Sequence, residues 1–360
     1  MKSSIVNSIR LIRGKAKRVL IKLMLLILRP VEPQSEFEGP LKSIIILAQE
    51  KIGDAILLTP LFKNLRRVFP EIEIHVVALS PVYPFFENDP NVDVVYKVKQ
   101  NYLAYFQSLR KKKFDLLFST KDHPSFTFLY QSRIIPAKYR IGIFHPYHRG
   151  FFNYLIQLDF HQHIIEKNLA ILEFLNIPLT DEDRRPYLPE NNIPNEIRSF
   201  SSKISNLNCI GINLSAGEKD REWSFEKWAA FLKEIDFKVI IFATQDRNND
   251  KQKLENMFGH VVQSPITKTI FEVGHILQHL KLLISPDTAL IHLASCFKID
   301  VVGLYRSKVI HLTRFYPYLV NNQVLISPTS RIEDIPMREV IDAVNVMVSK
   351  QNNSSVFSNT

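Results

Sequence analysis

A chain of 360 residues with 46% hydrophobic and 23% charged side chains can bury two α/β cores and is too apolar to remain disordered. Its two cysteines, Cys209 and Cys296, lie in apolar runs, so they read as small core hydrophobes in a reducing compartment and not as a disulfide framework. The net charge of +10 is local: residues 1–30 hold Lys2, Arg10, Arg13, Lys15, Lys17, Arg18, Lys22 and Arg29 and no acid, which leaves no basic stripe elsewhere and argues against a nucleic-acid partner.

That basic segment comes first along the chain. Ile5, Ile9, Ile12, Ala16, Val19, Leu20, Leu23 and Leu26 or Ile27 recur at steps of three and four, which puts them on one helical face with Lys and Arg opposite. A helix of this kind lies in a lipid headgroup layer and attracts anionic lipid. Its unbroken apolar part, Met24 to Leu28, is too short to span a bilayer. Arg29-Pro30 then follow without the small residues of a signal-peptide cleavage site. The expectation is an anchor on an anionic membrane surface through residues 1–30, with packing on the protein's own core as the competing reading.

After a Pro- and Glu-bearing connector, Ser43–Ala48 is a short continuous apolar run and reads as a buried strand. Gly53 and Asp54 open a helix that reaches Phe69. Strands follow at Ile72–Leu79, Asp93–Val98 and Asp115–Ser119, with helices around Tyr102–Lys111 and Ser125–Ile134. Four prolines between Pro178 and Pro194 mark a linker. A second alternation has strands at Cys209–Leu214, Lys238–Ala243, Leu282–Ser285 and Val301–Tyr305. Its helices are Phe225–Ile235, Phe271–Leu280 and Thr288–Phe297.

This pattern predicts an α/β protein of two Rossmann-like doubly wound domains facing a cleft. The expected boundaries are 1–40 for the basic helix and connector, 41–180 for the first domain and 181–205 for the linker. The second domain takes 206–345 and a polar tail 346–360. With ten glycines and no G-x-G-x-x-G, a nicotinamide dinucleotide site is not indicated.

Three segments sit where a strand hands over to a helix, the edge at which open α/β sheets bind ligands. In the first, Gly53 permits a tight turn, Asp54 stands at the helix N-terminus and Thr59-Pro60 follow. Asp54 is either an N-cap or a general base in the cleft. In the second, Asp287 and Thr288 begin a helix whose free N–H groups favour an anion, with Ala289 next and His292 one turn in. Capping by Asp287 is the simpler reading there. The third runs from Asn213 to Trp223: Gly217 and its small neighbours allow close approach to the backbone, and Lys219 and Arg221 can neutralise phosphate, unless the segment is only a solvated loop.

The order of these segments, a strand then G-D-x₄-T-P, then G-x-N followed by R-x-W, then P-D-T-x₃-H-L-A, resembles the bacterial ADP-heptose:lipopolysaccharide heptosyltransferases, glycosyltransferase family nine. The resemblance covers roughly residues 43–345. It implies the two-domain GT-B arrangement, donor bound mainly by the second domain, inversion at the anomeric carbon, and neither metal nor cofactor in the chemical step. Carried onto matching positions, it implies that Asp54 deprotonates the acceptor hydroxyl and that Arg221 contacts the donor diphosphate. Lys219, Asp287, Thr288, Ala289 and His292 complete the donor segments, with Gly53, Thr59 and Gly217 positioning the loops. The implied partners are ADP-heptose and a lipopolysaccharide core acceptor. The implied location is cytoplasmic, peripheral on the inner face of the inner membrane.

Three departures stand out. Ala289 replaces the usual Gly, Arg306-Ser-Lys-Val replaces a usual Gly-x-Thr-x-Pro turn, and Gln49, Glu50 and Lys51 replace an upstream Arg. They bear on the exact donor and acceptor. Two metal readings are weaker: the D-x-D string Asp181-Glu-Asp183 lies in the linker, and His145, His148, His161 and His163 form a loose group without cysteine. A silent sugar-nucleotide-binding module and a transferase or epimerase using another nucleotide sugar are the rival functions.

Overall fold

The computed structural model describes residues 19–48, 51–98, 102–307 and 309–357. They form two compact units, Met1–Leu179 and Thr180–Thr360.

The first unit begins with α1 (residues 19–28). Then come β1 (Ser43–Leu47), α2 (Ile52–Ile56), α3 (Thr59–Val68), β2 (Glu73–Leu79), α4 (Tyr83–Glu87) and β3 (Val94–Val98). They are followed by α5 (Tyr102–Arg110), β4 (Phe114–Ser119), α6 (Phe126–Ile134), β5 (Ala137–Ile143), β6 (Tyr154–Ile156) and α7 (Ile164–Phe174). The strands form one sheet in the order β3-β2-β1-β4-β5-β6, parallel throughout. All five residues of β1 are buried, as its unbroken apolar run requires in a sheet covered on both faces.

The helix expected from Gly53 to Phe69 is two helices, broken at Leu57 and Leu58. Pro60, at the second position of α3, has no N–H to continue a helical ladder from α2. The Thr59 hydroxyl closes the break by donating to the Ile56 carbonyl at 2.8 Å. From α7, the Asn168 amide donates to the Leu57 carbonyl at 3.0 Å.

Of the basic N-terminal segment, residues 1–18 lie outside the described residues. α1 buries Ile21 and Met24, with Leu25 and Leu28, against the core around Ile45, Leu47, Phe128 and Phe151. Arg133 fastens its end by donating to the Leu28 and Arg29 carbonyls. The opposite side is exposed and apolar: Val19, Leu20, Leu23, Leu26 and Ile27, the last at 80%. So the side of the described turns opposite Val19, Leu20 and Leu23, expected to carry Lys and Arg, is instead apolar and packs on the protein's own core, while those residues stay exposed. Among the described residues no helix is long and apolar enough to cross a membrane.

The second unit begins with α8 (Asp181–Arg184), α9 (Asn195–Ile204), β7 (Ile210–Asn213), α10 (Phe225–Glu234), β8 (Val239–Phe242) and α11 (Asn248–Met257). It continues through α12 (Ile270–Leu277), β9 (Leu282–Pro286), α13 (Ala289–Phe297), β10 (Asp300–Tyr305), α14 (Val309–Phe315), β11 (Asn322–Ile326) and α15 (Met337–Phe357). Its sheet order is β11-β10-β9-β7-β8, again parallel throughout. Two segments are more structured than their composition suggests. In the proline-bearing stretch Thr180 and Asp183 form a capping box on α8, and α9 packs against α12. Residues 346–357, read as a polar tail, continue α15, whose Val344 and Met347 are buried in the core.

Trp223, Trp228 and Phe231 are fully buried at the centre of this unit, with ring centroids 4.8–6.2 Å apart. Truncating such a side chain forfeits transfer free energy and leaves a cavity. Phe231→Ala should destabilise the second unit by about 3–5 kcal/mol, whereas Ile27→Ala on the exposed face of α1 should stay within about 0.5 kcal/mol. Thermal and denaturant unfolding of the two variants checks this, and equal shifts would contradict the assigned core.

Candidate active site

In each sheet two adjacent strands feed crossovers that run in opposite directions along the sheet, so the loops after their carboxyl ends part and leave a crevice. In the first unit this falls between β1 and β4. The Thr120 hydroxyl, just past β4, donates to the Leu47 carbonyl at the end of β1 at 3.0 Å and ties the two ends together.

Asp54 opens onto a pocket at this point, whose polar lining also includes Thr120, Lys167 and Asn168 and whose apolar wall includes Phe86 and Ile164. Asp54 is not the N-cap of α2. Lys51 holds that position, and Asp54, three residues on, accepts the Lys51 N–H at 3.3 Å. Gly53 lies within the same helical turn. Thr59 is fully buried and serves the break between α2 and α3. The Lys167 ammonium lies 3.7 Å from the buried Asp122 carboxylate, which also meets His123 at 3.1 Å. A carboxylate, an ammonium and an amide around an apolar floor can hold a polyhydroxylated ligand and accept a proton from it.

In the second unit the switch falls between β7 and β9. The buried Asn213 ends β7 and joins the two strand ends. Its amide donates to the hydroxyls of Ser285 and Thr288, both at 3.1 Å, and its carbonyl accepts the Ser215 N–H at 3.1 Å. Thr288, not Asp287, is the N-cap of α13, its hydroxyl accepting the Leu290 N–H. Asp287 is instead the partner of Arg221, whose Nη1 donates to its carbonyl at 2.9 Å and its carboxylate at 3.2 Å. Ala289 opens α13, and His292 is buried one turn in.

Trp223 explains how Arg221 is presented. Its indole is fully buried and donates to the Ile332 carbonyl at 2.9 Å, so the preceding residues are pinned at the sheet edge. Glu222 adds a second pin by accepting the Ala216 N–H at 3.1 Å and Arg247 at 2.6 Å. Gly217 and Lys219 are exposed on this loop. A Cβ added at Gly217 would meet only Arg221, at 3.7 Å, so the loop leaves space beside the guanidinium. A guanidinium beside the N-terminus of α13 is an anion-binding arrangement.

The four histidines do not converge. His145 and His163 accept backbone N–H groups at Tyr147 and Ile165 as caps. Burial holds the His148 imidazole below its usual pKa, with its Nδ1 2.7 Å from the Ile143 carbonyl, and His161 is exposed. Among the described residues no three His, Cys, Asp or Glu side chains gather as metal ligands would. Sequence reasoning missed Thr120, Asp122, Lys167 and Asn168. Thr120 and Asp122 directly follow a predicted strand, which was the available signal. Lys167 and Asn168 reach Asp54 from far along the chain and carry no local one.

Residues 102–342 match the sequence model of glycosyltransferase family 9 (heptosyltransferase). Lipopolysaccharide heptosyltransferase 3 of Escherichia coli is 22% identical over 279 residues, 70% of this chain and 80% of that protein. The crystal structure of the glycosyl transferase family 9 from Veillonella parvula DSM 2008 is similar at TM-score 0.69 and 19% identity, over 88% of this chain and all of that one (100%). E. coli heptosyltransferase WaaC with ADP is similar at TM-score 0.66 and 14% identity, over 85% and 99% of the two chains. At these identities the two structures speak for the fold of both units.

Asn213 is the joint of the second site. Asn213→Ala should destabilise the second unit by about 1–3 kcal/mol, because the buried Ser215 N–H loses its acceptor. A thermal unfolding midpoint equal to that of the wild type would show that the joint carries no stability.

Proposed function

Because this chain belongs to glycosyltransferase family 9, the heptosyltransferase family, we propose that it transfers a heptose from ADP-heptose to a sugar of the lipopolysaccharide core. One observation carries this reading: each sheet has an anchored set of polar groups at its switch point, and the two sets differ in chemistry. The first offers a carboxylate, Asp54, in a pocket. The second offers a guanidinium, Arg221, beside a helix N-terminus. The first suits a hydroxyl that must lose a proton, the second a diphosphate that must leave with its charge. The heptose and adenosine parts of the donor come from the names of similar proteins, a lipopolysaccharide heptosyltransferase and a heptosyltransferase with ADP.

The proposed reaction is a single displacement. The acceptor oxygen attacks the anomeric carbon while the bond from that carbon to the diphosphate oxygen breaks, so the configuration inverts. The hydroxyl proton passes to the Asp54 carboxylate. ADP leaves with its charge met by Arg221, the amides at the start of α13 and the exposed Lys219, preorganised donors that can serve without a metal. His292 and Ala289 shape the floor of the donor site, and Gly217 gives the diphosphate room.

Asp54→Asn should lower turnover about a hundredfold to ten-thousandfold while ADP binding measured by calorimetry is kept. Arg221→Ala should do the reverse, weakening ADP binding about tenfold to a hundredfold. Retained turnover of Asp54→Asn at saturating donor would remove it as the base. Selective binding of a UDP-, GDP- or CMP-sugar in place of ADP-heptose would keep the transferase and reject the donor.

The proposed location is the inner face of the inner membrane, where a lipid-linked acceptor is met. The exposed Leu20, Leu23, Leu26 and Ile27 of α1, next to the eight cations of residues 1–30, support contact with an anionic surface. Joint replacement of Leu23, Leu26 and Ile27 by serine should reduce cosedimentation with anionic vesicles severalfold while the soluble reaction is unchanged. Equal sedimentation of both forms would reject the anchor.

A further inference from the structure

Loops from three strands meet at the carboxyl edge of the second sheet: Glu218 and Arg221 after β7, Asp287 after β9 and Arg306 immediately after β10. Arg306 belongs to the Arg-Ser-Lys-Val sequence that stands in place of the family's usual Gly-x-Thr-x-Pro turn. Its Nη1 donates to Glu218 Oε2 at 2.8 Å. The other oxygen of the same carboxylate, Oε1, lies 3.6 Å from Nη2 of Arg221. One carboxylate therefore stands between two guanidiniums. Arg221 meets Asp287 through its other nitrogen, Nη1, at 3.2 Å.

Exposure distinguishes the three groups. The Glu218 side chain is 54% exposed, whereas those of Arg306 and Arg221 are 9% and 15% exposed. The cations are held by the fold, and the anion sits at the mouth, where water can replace its contacts at little cost. Glu218 precedes the 3-10 turn Lys219–Arg221 without capping it through its side chain, so its departure breaks no cap. Two guanidiniums sharing one carboxylate have the spacing and planar donor geometry that phosphoryl oxygens also accept. With Glu218 and Asp287 in place the cluster is neutral. A diphosphate entering between the arginines gains their full attraction only when Glu218 leaves.

We propose that Arg306 is a second diphosphate-binding residue, and that Glu218 occupies the phosphate position between Arg221 and Arg306 until a nucleoside diphosphate displaces it. The inference rests on the reading that the second unit binds the donor's diphosphate, and it adds a residue where this chain departs from its family. The displaced carboxylate swings toward solvent, no covalent bond changes, and both guanidiniums turn to the phosphates. Glu218 also acts as a selectivity filter: it competes with weak anions and yields to a ligand that presents two linked phosphates.

Calorimetry on the full chain with ADP, inorganic pyrophosphate and adenosine tests this. Arg306→Ala should weaken ADP and pyrophosphate about tenfold or more, and Arg306→Lys should restore only part of that, since lysine lacks the planar fork. Glu218→Gln should tighten both about threefold to tenfold by removing the competing charge. That gain should shrink in the Arg306→Ala background, where Glu218 competes with the ligand for Arg221 alone. Adenosine, which has no phosphate, should bind all variants alike. Thermal midpoints identify any variant that fails to fold, and Glu218→Gln, at an exposed position, keeps the test decisive in that case. Unchanged ADP binding in Arg306→Ala and Glu218→Gln, with Arg221→Ala still defective, would overturn the proposal and leave the donor site standing. A wild-type chain that binds neither ADP nor any other nucleoside diphosphate would overturn both.

Discussion

Parallel strands cannot be joined by tight turns, and this constraint governs the protein. Every connection between neighbouring strands must cross back over a face of the sheet, so all carboxyl ends, with the loops that follow them, share one edge. In both units two adjacent strands, β1 and β4 or β7 and β9, feed crossovers in opposite directions, and the loops that follow them separate. The polar groups discussed above stand at those separations because nowhere else on a fully covered sheet can a ligand reach the backbone. Each separation is then bridged by a buried hydrogen bond, from Thr120 to Leu47 in one unit and from Asn213 to Ser285 and Thr288 in the other. Without these bridges the loops would be free to drift, and the side chains they carry would lose their fixed distances.

Charge is handled differently at the two edges. In the first unit the Lys167 ammonium is paired with a buried carboxylate, Asp122, and shares its pocket with Asp54. In the second, arginine dominates, and its partners are a carboxylate and a backbone carbonyl of the next strand's loop. A guanidinium with several fixed donors can keep some partners while exchanging others. That property lets Arg221 stay anchored on Asp287 through Nη1 while its Nη2 faces the exposed Glu218.

The core strands were legible because burial on both faces demands continuous apolar runs, as in Ser43–Leu47 and Leu282–Pro286. β5 escaped notice because Lys138 and Arg140 interrupt its pattern. The Arg140 guanidinium is buried nonetheless, donating to the carbonyls of Ser132, Ala137 and Ile135, a satisfaction that only the tertiary structure supplies. α7 was missed for a related reason: its N-cap is His163, outside the residues that usually announce a helix start. The motif residues Asp54, Arg221 and Thr288 were legible from strand-to-helix handovers. Lys167 and Asn168, which line the Asp54 pocket, were not, since nothing local ties residue 54 to residue 168.

The bond from Asn168 to the Leu57 carbonyl also has a kinetic meaning. It spans 111 residues and fixes the break just after the short helix that carries Asp54. Closing so long a loop costs chain entropy that local contacts cannot offset early in folding. On a ribosome, Asp54 and β1 are made before residue 168 exists. The bond that fixes this break can therefore form only once α7 has been made and docked.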